Sequence, residues 1–320
     1  MTMAVLAGGL QTSVQDRGRF GYRHLGVGTA GALDGYSLRV GNLLVGNPEN
    51  SPALEIALSG PRLRFDQAMR IAITGADIDA QADGMAIPGW RPVELPAGCE
   101  LRLGACRRGA RAYIAFAGGL QVPAILGSAS TDLRAGFGGL DGRCLTKGDV
   151  LPLGSDTLAG VSEPNIATWW LDPHPDLDFS QPTLIRVLPG RDAAEPATQL
   201  CATSYRVSAQ SNRQGLRLQG AALTIADSRE RLSEPVAPGT IQLPPDGQPI
   251  VLLAEAQTMG GYPRIGHVVS ADLPRLAQLR PGDNLQFQMI DAAAAQALAC
   301  AQRQRLTRIA LAIEQRWHDG

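Results

Sequence analysis

The chain of 320 residues is almost without lysine: of 29 Lys and Arg side chains, only Lys147 is lysine. A phosphate-cradling G-x-x-x-x-G-K-[ST] loop needs a lysine, and Lys147 stands instead in "LTKGD", so ATP cannot be bound by that route. Lys147 itself reads as a solvated turn charge. Histidine is also scarce. His24, His174, His267 and His318 are scattered, with no H-E-x-x-H or H-x-H spacing, so no metal ligands are predicted. Cys99, Cys106, Cys144, Cys201 and Cys300 are odd in number and form no C-x-x-C pair, which predicts reduced thiols rather than a disulfide frame or zinc knuckle. The net charge is -1. That leaves no electrostatic footprint for nucleic acid or an anionic membrane. No apolar run approaches the roughly 18–20 residues of a membrane span. The opening "MTMAVLAGGL" lacks a basic segment, and the expected location is cytoplasmic.

Glycine (37) and proline (22) are plentiful and aromatics make up only 5%, which favours short strands and turns over long helices. "PALEIALSGPRLRF", "MRIAITGADIDAQADGMAI", "CELRLGAC", "ARAYIAFAGG" and "DVLPLG" read as strands broken by glycine. One early helix is predicted from Asp34 to Asn47, with Asp34 as N-cap and Gly46 as its stop. Residues 155–182 are polar and Pro-rich and read as a linker that packs through Trp169 and Trp170. Strand signals resume at "TLIRVLPG" and run through "DNLQFQMI". After Asp291 the text is Ala-rich without Gly or Pro. Leu306, Ile309, Ala310, Ile313 and Trp317 fall at helical spacing, predicting a terminal amphipathic helix packed on the second half. The length suits two domains. The expected division is 1–154, a linker over 155–182, 183–290, and the helix over 291–320.

"AGGLQ" occurs twice, at Ala7–Gln11 and Ala117–Gln121, but the likeness does not extend beyond the string. It reads as two strand exits that need glycine for unusual backbone angles. "GVGTAG" (Gly26–Gly31) matches a dinucleotide fingerprint but follows no buried strand, which argues against a Rossmann unit. "LGSAST" is rich in hydroxyls but is no nucleophile elbow. Three polar clusters lie among glycines: "QDRGR", "SNRQGLR" and "QTMGGY". Guanidiniums, amides and close-approach glycines suit recognition of a carboxylate, an amide or a phosphate.

These clusters, with "TSVQDRGRFGY", "GALDGYSLRVGNLLVGN", "YIAFAGGLQVPAILGSAST" and "GTIQLPPDGQPIVLLAEAQTMGGYPRIGHVVSADLPRLAQLRPGD", run in one order from about Thr12 to Asp283. In that order the chain resembles the allophanate hydrolase subunit 2, or biotin-dependent carboxyltransferase-like (KipA-type), family. The resemblance implies a mainly β fold of two tandem cyclophilin-like barrels with a few short helices and a C-terminal helix. Against the family pattern, Ala129 stands for Arg in "GSRST". Asn212, Gln214 and Leu216 depart from "SDRMGYRL", Glu255 and Ala256 from "DRQTGGYP", and His267 replaces a small residue.

The family includes subunits of ATP-dependent 5-oxoprolinase, so the implied activity is opening the lactam of 5-oxo-L-proline to L-glutamate with partner subunits. The implied partners are a B-type subunit like allophanate hydrolase subunit 1 and an A-type subunit of the LamB/YcsF kind. The implied cofactor is ATP, shared with those partners without a P-loop. Phosphorylating the lactam oxygen would make it a leaving group, and arginines would offset the developing charge. Asp16, Arg19, Arg213 and Gln257 are the expected catalytic residues, Asp16 as orienter or base. Gln15, Ser128, Ser130, Thr258, Gly260, Gly261 and Tyr262 are expected to hold substrate. The resemblance leaves two alternatives open: a urea carboxylase or allophanate hydrolase-type subunit acting on urea-like amides, and a non-enzymatic KipA-type regulator that binds a kinase inhibitor.

Overall fold

The computed structural model describes residues 1–155, 158, 160–173, 177, 179, 182–193, 196–224 and 232–319. His174 and part of the expected linker lie outside the described residues. The chain forms two compact units. The first holds Met1–Arg19, Ala30–Leu177 and Leu306–Gly320, and the second Phe20–Thr29 and Asp178–Arg305. These bounds differ from the expected division in giving residues 20–29 to the second unit, and in giving the expected linker as far as Leu177 and the end of the chain from Leu306 to the first.

The first unit contains strands β1 (Thr2–Ala7), β2 (Gln11–Gln15), β3 (Ala53–Ala57), β4 (Arg62–Phe65), β5 (Met69–Ala82), β6 (Met85–Ala86), β7 (Pro92–Leu95), β8 (Glu100–Phe116), β9 (Val150–Pro152) and β10 (Asn165–Ile166). They make one ten-stranded sheet in the order β10-β7-β5-β8-β4-β1-β9, with β2 and β3 branching from β8 and β6 on β5. Strand β8 is the spine. One edge pairs with β5 along its length, and the other with β4 and then β3. The sequence reading splits β5 at Gly75 and β8 at Gly109. Each instead runs through, with φ of +85° and +76° at these glycines and register shifts between the two strands. A glycine inside a strand can bend the chain as a bulge without ending the ladder.

Helix α1 (Gly35–Leu44) starts and stops where capping chemistry predicts. The Asp34 carboxylate accepts from the Ser37 amide at 2.9 Å, and the chain turns out at Gly46 with φ +80°. It packs on β5 and β8, and its Ser37 carbonyl accepts from the Thr74 hydroxyl at 2.7 Å. Both AGGLQ strings are strand exits, as expected: Gly9 follows β1 and Gly118 follows β8, with φ of +73° and +75°. A Cβ on Gly8 would stand 2.0 Å from the Leu145 carbonyl oxygen, so the backbone there tolerates no side chain.

The second unit contains β11 (Thr183–Pro189), α2 (Pro196–Ala202), β12 (Ser204–Val207), β13 (Gly215–Gln219), β14 (Glu234–Pro235), β15 (Thr240–Gln242), β16 (Ile250–Leu252), β17 (Met259–Gly260), β18 (Arg264–Val268), α3 (Leu273–Ala277) and β19 (Asn284–Met289). Seven of these strands close a barrel in the order β11-β18-β15-β16-β13-β12-β19. Closure is made by the parallel pair β11–β19, which leaves no open edge. Strands β14 and β17 form a separate two-stranded ribbon. Helix α4 (Ala292–Asp319) ends the chain. Its early turns belong to the second unit, where Gln302 donates to the Ala271 carbonyl at 3.4 Å. Its last turns belong to the first, where Leu306 and Ile313 are buried and Trp317 meets Trp169 edge-on at 6.1 Å. The expectation that the whole helix packs on the second half is therefore corrected. The apolar stripe extends beyond that half, and its last member, Trp317, meets Trp169 and Arg70 of the first unit. No helix among the described residues is long and apolar enough to cross a membrane.

Candidate functional site

In the first unit, the structure brings Gln15, Asp16, Arg19, Ser128 and Ser130 together. Strand β2 delivers Gln15 and ends before Asp16. The Asp16 carboxylate accepts from the Ser128 hydroxyl (2.6 Å), the Ser130 hydroxyl (2.5 Å), the Ala129 amide (2.7 Å) and the Gly18 amide (2.7 Å). The Ser130 hydroxyl in turn accepts from the Asp16 amide at 2.9 Å. One carboxylate thus pins the "GSAST" loop to the end of β2. Four donors on one carboxylate is near the full capacity of its two oxygens.

Arg19 is buried, 1% exposed. Its guanidinium donates to the Ser130 carbonyl at 2.5 Å and lies 4.5 Å over the Phe137 ring. Gly138 makes room: a Cβ there would stand 2.8 Å from an Arg19 nitrogen. Gln15 is fully buried and donates to the Ser13 hydroxyl (3.0 Å) and the Thr131 carbonyl (3.1 Å).

Beside this cluster runs a polar row that sequence reasoning missed. Ser13, Glu55, Tyr113 and Thr74 are register partners across β2, β3, β8 and β5, and all are buried. Glu55 accepts from the Tyr113 hydroxyl (2.7 Å) and the Leu33 amide (2.9 Å), and the Tyr113 oxygen accepts from the Asp34 amide (2.9 Å). Burial, and then the Glu55 charge, holds the Tyr113 phenol well above its ordinary value. Period-2 alternation puts these residues on the face opposite Leu54, Ile56, Ile73 and Ile114, so the sequence reads them as outward, and only the burial of both faces reveals the row.

In the second unit, Arg213 donates through Nε to Glu255 at 2.5 Å, and both are buried. The Glu255 amide also donates to the Arg213 carbonyl at 3.0 Å. Glu255 thus supplies the counter-ion, and the pair ties the "SNRQGLR" turn to the segment carrying Gln257, Thr258, Gly260, Gly261 and Tyr262. Burial of a paired ion requires such satisfaction. Gly260, Gly261 and Tyr262 line a pocket of about 260 Å³ with Arg191, Asp192, Glu234 and Arg264. Glu234 is held by Arg191 at 2.7 Å and by Arg264. The Thr258 carbonyl accepts from the Val236 amide at 3.0 Å.

Two further residues were not predicted. Arg23 donates to the Val236 and Gln257 carbonyls, the latter at 3.4 Å, and burial lowers its pKa. Gln242, at the end of β15, accepts through Oε1 from the Gln257 side-chain Nε2 at 3.3 Å. His267 lies on β18 opposite Thr240, 3.4 Å from its hydroxyl, and burial pushes its pKa down. Among the described residues, no group of three or more His, Cys, Asp or Glu is placed to hold a metal ion.

The fold and these loops define a class: the chain belongs to the family described as carboxyltransferase domain, subdomain A and B, which matches over residues 25–289. Among relatives, it is 41% identical over 290 residues to the C-type subunit of 5-oxoprolinase from Escherichia coli (strain K12), covering 89% of this chain and 90% of that protein. It is 34% identical over 307 residues to the urea amidolyase of Saccharomyces cerevisiae, covering 87% of this chain but only 16% of that protein. Among solved structures, the K. lactis urea amidolyase superposes with a TM-score of 0.89 at 31% identity, over 96% of this chain and 20% of that one.

Proposed function

We propose that this protein is one subunit of an ATP-dependent 5-oxoprolinase that opens the lactam of 5-oxo-L-proline to L-glutamate. The observation that carries this reading is the 41% identity to the E. coli 5-oxoprolinase subunit across nine-tenths of both chains. The chemistry of the clusters agrees with it. A lactam acid presents a carboxylate and a carbonyl, both acceptors, and the two units offer buried guanidinium and amide donors.

This chain's own residues do not fit a triphosphate cradle. Arg19 and Arg213 already engage a carbonyl or a carboxylate, and Lys147 is exposed. We therefore assign the nucleotide to a site built with the A- and B-type partners. This chain's share is to hold and orient the amide substrate, with Gln257 and the Gly260–Tyr262 backbone as its contacts.

The test is ATP-dependent glutamate release from 5-oxo-L-proline, by this chain alone and with A- and B-type partners. The expected result is turnover only in the reconstituted complex. Full turnover by the chain alone overturns the subunit reading. A urea carboxylase-type role has one specific support, the 0.89 TM-score to a urea amidolyase structure. Urea-dependent turnover with a biotin-carboxylase partner, in place of 5-oxoproline turnover, would favour it.

A further inference from the structure

We propose that the second unit carries a carboxylate-accepting subsite built by Arg23 and Gln242 against Gly260. Gln242 is 2% exposed. Its Oε1 takes the Gln257 amide proton at 3.3 Å, which fixes the side-chain amide and turns Nε2 the other way. Nε2 has no hydrogen-bond partner among the described residues. Arg23 shows the same pattern. Its Nη2 is spent on the Val236 and Gln257 carbonyls, while its buried Nη1 has no partner among the described residues. Buried donors are ordinarily satisfied, so two open ones in a single cluster call for an acceptor.

The two donors share their neighbours. Gln257 touches both, its carbonyl on Arg23 and its amide on Gln242. Val236 receives Arg23 and lies 3.5 Å from where a Gly260 Cβ would be. That same Cβ would stand 2.5 Å from Gln242 Nε2, so a residue without a side chain leaves room for the amide. Gly260 also belongs to the wall of the 260 Å³ pocket, which places the two donors next to it. The nearby carboxylate of Glu234 is already taken by Arg191 and Arg264.

The open groups are all donors and one is cationic, so the occupant is an anion with acceptors only. Two open nitrogens and a single positive charge match the two oxygens of a monoanionic carboxylate better than a phosphate. The inference deepens the 5-oxoprolinase reading and rests on it only for which acid is bound.

The experiment titrates the full chain with 5-oxo-L-proline, acetate, inorganic phosphate and 2-pyrrolidinone, the same lactam without its carboxylate. Both carboxylates are expected to bind at least about tenfold more tightly than 2-pyrrolidinone. Arg23→Leu and the isosteric Gln242→Glu are each expected to lose about tenfold or more, with melting temperature checked in parallel. Gly260→Ala is expected to weaken binding by pushing the Gln242 amide aside. If Arg23→Leu does not fold, the isostere carries the test. Absent carboxylate binding, preference for phosphate, equal binding of the neutral lactam, or affinity unchanged in Gln242→Glu overturns the subsite. Acetate binding that depends on these residues, beside a reconstituted complex inert on 5-oxo-L-proline, sinks the oxoprolinase reading and leaves the subsite standing.

Discussion

At the scale of single residues, Asp16 decides how the "QDRGR" motif is understood. Its carboxylate gathers two hydroxyls and two backbone amides from separate parts of the first unit. Asp16→Ala would leave those donors facing a void, and each buried unsatisfied group costs about 1–3 kcal/mol. The expected loss is about 3 kcal/mol or more in urea denaturation of the chain. A group used mainly for proton transfer behaves otherwise: Asp16→Ala would then abolish turnover in the complex at unchanged stability. That the motif mattered was legible from its residue types. Its partners were legible only as the family string around Ser128, because the hydrogen bonds join residues more than 110 positions apart. Arg23 and Gln242 were not legible at all. Arg23 lies in none of the motifs and Gln242 stands unremarked in a long family string; what marks them is one buried nitrogen each without a hydrogen-bond partner among the described residues.

At the scale of elements, helix α4 shows which side chains hold the packing together. Ile313 is 4% exposed and Leu311, two residues away, is 60% exposed. Truncating a buried isoleucine to alanine costs about 2–5 kcal/mol, while exposed positions usually change stability by less than about 0.5 kcal/mol. Ile313→Ala is therefore expected to lower the denaturation midpoint clearly, and Leu311→Ala to leave it in place. Equal effects would mean that the packing of the last turns is misassigned. Element types were mostly readable from the text: the α1 capping pattern, the strand runs and the Gly-free terminal helix all stand close to where the sequence puts them. The failures were at glycine. Gly75 and Gly109 look like strand ends, yet each sits within a continuous strand. Local text cannot tell a bulge from a break, since the difference lies in whether the partner strand continues opposite.

At the scale of the whole molecule, the near-absence of lysine becomes an experiment. Lys147 is exposed in the turn before β9. That turn is organised without it: Arg143 grips Asp149 through both terminal nitrogens at 2.7 and 2.8 Å, and the Thr146 amide donates to the same carboxylate at 2.7 Å. The Arg143 hydrogen bonds hold the Asp149 carboxyl down to about 2, so the pair stays charged through neutral pH. No other side chain offers an ammonium, and arginine keeps its proton at any working pH. If phosphoryl transfer or amide attack used an amine from this chain, it would have to use Lys147 or the amino terminus. The assignment of the nucleotide to partner subunits predicts the opposite. Acetylating the purified chain before mixing it with untreated partners, or replacing Lys147 by Arg, should leave ATP-dependent glutamate release within about twofold of the untreated complex. A loss of a hundredfold or more, about 2.7 kcal/mol of transition-state stabilisation, in the Lys147→Arg protein at unchanged melting temperature would return the phosphate chemistry to this chain.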